Sequence, residues 1–240
     1  MRMISKSAVR FLSLVFFSAI FTAHAETISF RADRMTGSTK KNADKTTLSG
    51  NASITTENME LSAETIELSG KDFRFITASG GVTGKIKDSQ MDFTCGTMTY
   101  DREKKTAVLK NTVHLVDVQN NVTADAEIID YNQNTEIAVM QINVNLVQKE
   151  NTCTAANAVY QKNEKMLLLT GNPTVQQGSD LFRAQEISLN LDTNEITLDG
   201  RVRGSVSADS KSGDSKSNDS KSSDSKSSDS KPAEKKEEKQ

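Results

Sequence analysis

Tryptophan is absent from the 240-residue sequence, and proline, cysteine and histidine occur only twice each. With aromatics at 5% of the chain there is little to stack on sugar rings, so a polysaccharide-binding module ranks last among the functional readings. His24 lies in the first 25 residues, which leaves His114 alone in the body. One imidazole without convergent partners builds neither a catalytic triad nor a metal centre. It stands between Val113 and Leu115, on the parity that points outward, and reads as a surface residue. The sequence also lacks a nucleophile elbow, a P-loop, zinc-ligand spacing and an EF-hand loop. No catalytic residue, cofactor or metal is therefore expected, and the chain reads as a non-enzyme. An excess of positive charge is missing too: the formal charge is −2, and −5 without the first 25 residues. A mildly acidic body without a basic stripe argues against nucleic acid as a partner.

Long apolar runs are confined to one place. Arg2, Lys6 and Arg10 precede the run Phe11 to Phe21, and Ala23-His24-Ala25 has the form of a small-x-small cleavage site. This predicts a secretory signal peptide over 1–25 and an exported, soluble mature protein that starts near Glu26. The run is too short to span a bilayer comfortably, and no cysteine stands at the cleavage point to accept a lipid. At the other end, Asp-Ser-Lys recurs at 209, 214, 219, 224 and 229. A segment with no apolar surface to offset its ordering entropy is expected to be a disordered, solvated tether over 208–240. The domain is thus expected over 26–207.

Within that body a stretch recurs six times, at Leu48-Ser49-Gly50-Asn51-Ala52, Ala78-Ser79-Gly80-Gly81-Val82, Leu109-Lys110-Asn111-Thr112-Val113, Met140-Gln141-Ile142-Asn143-Val144, Leu169-Thr170-Gly171-Asn172-Pro173 and Leu198-Asp199-Gly200-Arg201-Val202. The spacings are 30, 31, 31, 29 and 29 residues, a regular period that marks a repeat architecture. Small and apolar residues keep one parity through each copy, as in Thr46, Leu48, Gly50, Ala52 and Ile54. Period two means strand. Each repeat has a second half with its own signature: Phe30-x-Ala32-x-x-Met35, Leu61-x-Ala63-x-x-Ile66-x-Leu68, Phe93-x-Cys95-x-x-Met98-x-Tyr100, Ala124-x-Ala126-x-x-Ile129-x-Tyr131, Thr154-x-Ala156-x-x-Val159 and Phe182-x-Ala184-x-x-Ile187-x-Leu189. The parity break after the small residue points to a bulge or sharp bend.

Polar clusters such as Asn132-Gln133-Asn134 and Gln119-Asn120-Asn121 separate the halves and the repeats, and read as hairpin turns. One repeat is one up-and-down strand pair, which predicts at least 12 strands. Glycine inside the first strand of a repeat reads as a packing corner, and Pro173 as a locally unpaired or bulged position. Asp33, Glu64 and Glu127 recur with the repeat and read as a solvated outer face, because a catalytic carboxylate pair is needed once and not per repeat. Cys95 occupies an inward small position, whereas Cys153 is expected one residue off the apolar parity and two repeats away. Two separate thiols are expected in place of a bridge.

The inner face is expected to carry Ile54, Ile66, Leu68, Phe75, Phe93, Met98, Tyr100, Leu115, Ile129, Tyr131, Leu146, Val175, Ile187 and Leu189. Most of these must serve as core, and part of the face is expected to stay open as a lipid groove. Burial is worth about 0.8 kcal/mol per methylene, so long acyl chains cross an aqueous space only under cover, which an apolar trough supplies.

The alternation of the two half-repeats, above all Phe30-Arg31-Ala32-Asp33-Arg34-Met35 leading to Leu48-Ser49-Gly50-Asn51-Ala52 and then Leu61-Ser62-Ala63-Glu64, resembles the LptA/OstA family of periplasmic lipopolysaccharide-transport proteins. The resemblance spans about Ile28 to Val206. It implies an all-β, open, twisted antiparallel β-jellyroll of about six repeated strand pairs. It also implies a carrier that receives the acyl chains of lipopolysaccharide, or a related glycolipid, from an inner-membrane complex and passes them to an outer-membrane partner along a bridge of homologous jellyroll domains. Energy would come from elsewhere, because the chain has no nucleotide site. The rival reading is a structural β-solenoid, a scaffold or adhesin-like protein with a dry, closed core and no cargo; periodicity alone leaves strand direction open. Head-to-tail self-association is expected from the unpaired strands at the two ends of an open sheet.

Overall fold

The computed structural model describes residues 27–37 and 45–207. The expected signal peptide and Asp-Ser-Lys tail lie outside these residues.

The strands are β1 Ser29–Arg31, β2 Arg34–Gly37, β3 Lys45–Thr55, β4 Met59–Ser69, β5 Phe75–Ile86, β6 Met91–Asp101, β7 Thr106–Asp117, β8 Val122–Asn132, β9 Ile137–Gln148, β10 Asn151–Gln161, β11 Met166–Thr170, β12 Thr174–Gln177, β13 Asp180–Arg183, β14 Glu186–Asn190, β15 Ile196–Asp199 and β16 Arg203–Ser205. All pairings are antiparallel neighbour pairings within one open 16-stranded sheet. A single 3-10 turn at Lys71–Phe73 is the helical element among the described residues. The parallel solenoid is thereby set aside.

The expected 12 strands reappear as 16 for one reason, a crease that crosses every strand. In β3 to β10 the crease is a register shift inside a continuous strand, for example between Ser79 and Val82 or between Lys110 and Val113. At the two ends it interrupts pairing altogether. β1 and β2 pair with the two halves of β3, and β11 with β12, β13 with β14, and β15 with β16 are the remaining broken strands. Eight continuous and four broken strands make six up-and-down pairs.

The crease has a local cause. Two consecutive residues per repeat adopt positive φ: Gly50 and Asn51, Gly80 and Gly81, Asn111 and Thr112, Ile142 and Asn143, Gly171 and Asn172, Gly200 and Arg201. Left-handed geometry turns the strand sharply, and glycine and asparagine tolerate it best. The glycine expected as a packing corner and the bulge expected after the small residue are one feature: a Cβ on Gly80 would lie 2.7 Å from Glu64 Cβ on the next strand. Pro173 falls in the break between β11 and β12, where its missing N–H costs no ladder bond.

Folding each strand at its crease produces two arms that face one another. One arm carries segments such as 45–49, 65–69, 97–101, 128–132 and 157–161, and the other carries 52–55, 59–62, 91–94, 113–117 and 144–148. Apolar side chains of both arms form one continuous core from Leu48 to Leu191. The alternation that encodes it is plain in β4, where buried Met59, Leu61, Ala63, Ile66 and Leu68 interleave with partly or wholly exposed residues. Each fully buried aliphatic side chain contributes about 1.5–3 kcal/mol, which offsets the ordering of a chain this rich in long-range pairings.

Candidate interior site and mouth

Twelve of the fourteen candidate groove residues are buried in this core: Ile54, Ile66, Leu68, Phe93, Met98, Leu115, Ile129, Tyr131, Leu146, Val175, Ile187 and Leu189. Tyr100 is half-buried against it, and its hydroxyl lies 3.1 Å from Gln133 Oε1. Phe75 is a correction. It is 38% exposed and points outward, because its neighbours Ile76 and Ala78 hold the inward parity of β5. Its ring instead lies 5.0 Å from the Arg74 guanidinium on the outside. The trough expected to stay open is filled along the middle of the molecule by its own side chains. Apolar inner residues reach solvent at the ends, at Phe30 and Met35 on one side and Val202 and Val206 on the other.

Cys153 corrects a second expectation, since it is fully buried and inward, opposite Leu146 on one neighbour and Val175 on the other. Both thiols are free. Burial pushes Cys95 up to about 11 and Cys153 to about 12. The cause of the misplacement is a one-residue slip in the fifth repeat. Thr154-x-Ala156-x-x-Val159 fits the half-repeat pattern, but the buried set is Cys153, Ala158 and Tyr160. Read in that frame, Tyr160 is the fifth-repeat equivalent of Tyr100 and Tyr131. The chain's three tyrosines therefore share one row, Tyr100–Ala107–Tyr131–Ala138–Tyr160, with an alanine between successive rings.

That row runs just inside the mouth, the seam opposite the crease where the turns of the two arms meet. The facing arm presents Asp117, Val122, Gln148 and Asn151 in register. Tyr160 donates its hydroxyl proton to Asp117 Oδ2 at 2.9 Å, and Asn120 Nδ2 donates to the same oxygen at 2.7 Å. Lys162 Nζ sits 3.4 Å from Asp117 Oδ1 and donates to the Ser89 carbonyl. The side chains of Lys162 and Asp117 are 3% and 1% exposed. Burial, then the Asp117 charge, raises the Tyr160 hydroxyl far above its ordinary range, and burial raises Tyr131 to about 12. Nearer the C-terminal end, Asn151 Nδ2 donates to Asn194 Oδ1 at 2.8 Å across the same seam. The interior is thus apolar toward the crease and polar at the mouth, the profile of an amphiphile. Asp117, Lys162, Asn120 and Ser89 were not foreseen, because all four stand in or beside turns that a sequence reading assigns to solvent.

The outer face offers less. His114 is exposed, as expected, and its Nδ1 lies 2.7 Å from Asp125 Oδ1. Thr94 aligns with this pair in the sheet, on an open surface beside a shallow concavity of about 380 Å³. Asp33 and Glu64 are exposed and Glu127 half-buried, at the crease line on the outside. Among the described residues no cluster of three or more His, Cys, Asp or Glu could hold a metal ion, and no helix is long and apolar enough to cross a membrane.

An open antiparallel sheet creased along its length, with an apolar interior bordered by a polar seam, defines an open β-jellyroll. Matches to the family model for the LptA/(LptD N-terminal domain) LPS transport protein cover residues 30–156 and 127–195, well over half of the chain. The chain belongs to that family. Among solved structures it is similar to LptH from Pseudomonas aeruginosa, described as the LptA homologous periplasmic component of the conserved lipopolysaccharide transport device. Identity is 11% and the TM-score 0.23, over 76% of this chain and 96% of that one. No curated protein sequence matches it.

Proposed function

We propose that the chain is a periplasmic carrier that takes the acyl chains of lipopolysaccharide, or of a related glycolipid, between its two arms. It relays them as one section of a bridge between inner-membrane and outer-membrane components that carry homologous jellyroll domains. One observation carries this reading. The interior is graded from Leu48, Ile66, Ile129 and Leu169 on the core side to Tyr131, Tyr160, Asp117 and Lys162 at the mouth, whereas a scaffold core needs no polar border inside its walls. Loading requires the arms to part at the mouth, where the Asp117–Lys162 cluster and the Asn151–Asn194 hydrogen bond join the turns, while the crease serves as the hinge line. The chain acts without catalysis, and energy for transport is supplied by a partner.

The filled core favours one rival, a scaffold without cargo, and a single experiment separates the two. A photo-crosslinking residue at Ile129, deep in the interior, is expected to capture lipopolysaccharide in cells. Crosslinks from Ile129, Leu115 and Leu146 to protein alone would sink the carrier reading.

A further inference from the structure

The seam contains a buried cation with more polar company than closure of the mouth requires. Lys162 is the one lysine or arginine that is buried among the described residues. Its partner Asp117 already accepts from Tyr160 and from both the side chain and the backbone N–H of Asn120. Around this pair, Gln148 Oε1 is buried without a hydrogen-bond partner, and the buried Ser89 and Tyr131 hydroxyls have only each other. Buried polar atoms are nearly always fully paired, so an orphaned acceptor and an isolated hydroxyl pair bordering one ion pair point to a group that completes the set.

Register places them together. Tyr131 is separated from Tyr160 only by Ala138 across the sheet, Gln148 from Asp117 only by Val122, and the Ser89 carbonyl accepts from Lys162 itself. A buried ion pair is in general no more stable than apolar residues of the same volume, so closing the mouth does not by itself require one.

We propose that this cluster is the headgroup site of the interior, and that Lys162 exchanges the Asp117 carboxylate for a phosphate on an acylated glycolipid when the arms part. The inference rests on the carrier reading above and names the polar half of the same site. The chemistry is that of a phosphate monoester. Lys162 supplies the charge, and the hydroxyls of Ser89, Tyr131 and Tyr160 and the Asn120 amide supply donors to its oxygens, a charge-assisted set. Gln148 Oε1 is left to accept from a sugar hydroxyl. Asp117 then acts as a placeholder that keeps Lys162 buried and the mouth shut between cargoes.

The test uses the mature protein and displacement of a fluorescent acyl probe by two competitors: a multiply acylated, diphosphorylated glucosamine disaccharide and the same lipid after phosphatase treatment. Wild type is expected to favour the phosphorylated lipid by about tenfold, of the order of one charge-assisted contact. Asp117→Asn, which removes the competing carboxylate, is expected to widen that preference several-fold. The charge-balanced variant Asp117→Asn/Lys162→Met avoids a lone buried charge, and it is expected to erase the preference between the two lipids. Thermal melting of each variant confirms folding.

Equal binding of both lipids by wild type, or a preference that survives in the double variant, overturns the headgroup site while the carrier reading stands. Failure of wild type to bind the acyl probe or either lipid overturns both. Inorganic phosphate alone is expected to leave the melting temperature unchanged. A phosphate-induced rise that the double variant loses would assign the cluster to the free ion and overturn the headgroup assignment.

Discussion

Ile142 occupies the first left-handed position of its crease with φ 65°, where the other five repeats place Gly50, Gly80, Asn111, Gly171 and Gly200. A β-branched residue there is a backbone outlier, and left-handed geometry costs an ordinary L-residue roughly 1–2 kcal/mol. It is also 51% exposed, so little packing compensates. Ile142→Asn, which restores the residue type of the third repeat, is expected to stabilise by about 1 kcal/mol, a rise in Tm of roughly 3 °C for a body of this size. An unchanged or lower urea midpoint would count against strain at this position. A second residue-scale effect is set by pH. Arg74 grips Asp101 with two hydrogen bonds, Nε to Oδ1 at 2.9 Å and Nη2 to Oδ2 at 2.7 Å. Aided by the Lys104 and Glu103 backbone N–H groups and opposed by desolvation, this bonding lowers the carboxyl from 3.8 to about 2. A depressed carboxyl contributes stability that is present above its ordinary value and lost as pH falls through its folded value. The urea midpoint of the wild type is therefore expected to fall between pH 4 and 2 more steeply than that of Asp101→Asn. Parallel curves would show the pair to be inert.

At the scale of the element, the crease is what converts a repeat into a jellyroll. Gly80 has φ +84° and faces Glu64, where a Cβ would clash at 2.7 Å, whereas a Cβ on Gly81 would meet nothing within 4 Å. Gly80→Ala is expected to destabilise by about 1–3 kcal/mol, and Gly81→Asn, at a left-handed position asparagine tolerates, to be nearly neutral. Equal losses in chemical denaturation would mean that the steric contact does not matter. The strands, their antiparallel turns and the burial of twelve candidate residues were legible because period two survives every repeat and polar clusters mark each reversal. Phe75 and Cys153 were misassigned for a related reason: a one-residue error in frame sends a side chain to the opposite face. The Asp117–Lys162 cluster was invisible on other grounds. Its members lie as many as 73 residues apart, as for Lys162 and Ser89, and only the fold at the crease brings one arm's turns over the other's.

For the molecule as a whole, the ends decide what it can join. β1 and β2 close neither arm at the first end, and β15 and β16 are the last strands of the two arms. Phe30, Met35, Val202 and Val206 account for four of the seven large apolar side chains exposed among the described residues. An edge with unpaired backbone and an uncovered core invites a strand from another jellyroll, in a head-to-tail contact that does not close. Self-stacking carries a specific penalty. In the arm that holds both β1 and β16 it brings Arg31 of one copy beside Arg203 of the next. Arg203 already lies directly opposite Arg183 across the sheet, and like charges in such pairs are destabilising by roughly 0.2–1 kcal/mol. The wild type is accordingly expected to associate weakly with itself, and more at high salt, where this repulsion is screened within a Debye length of about 3 Å at 1 M. Arg203→Glu, which offers a partner to both Arg183 and Arg31, is expected to raise self-association several-fold at low salt and to reverse its salt dependence. Light scattering over a concentration series reads both effects. A strictly monomeric protein in both forms and at both ionic strengths would rule out growth from these edges.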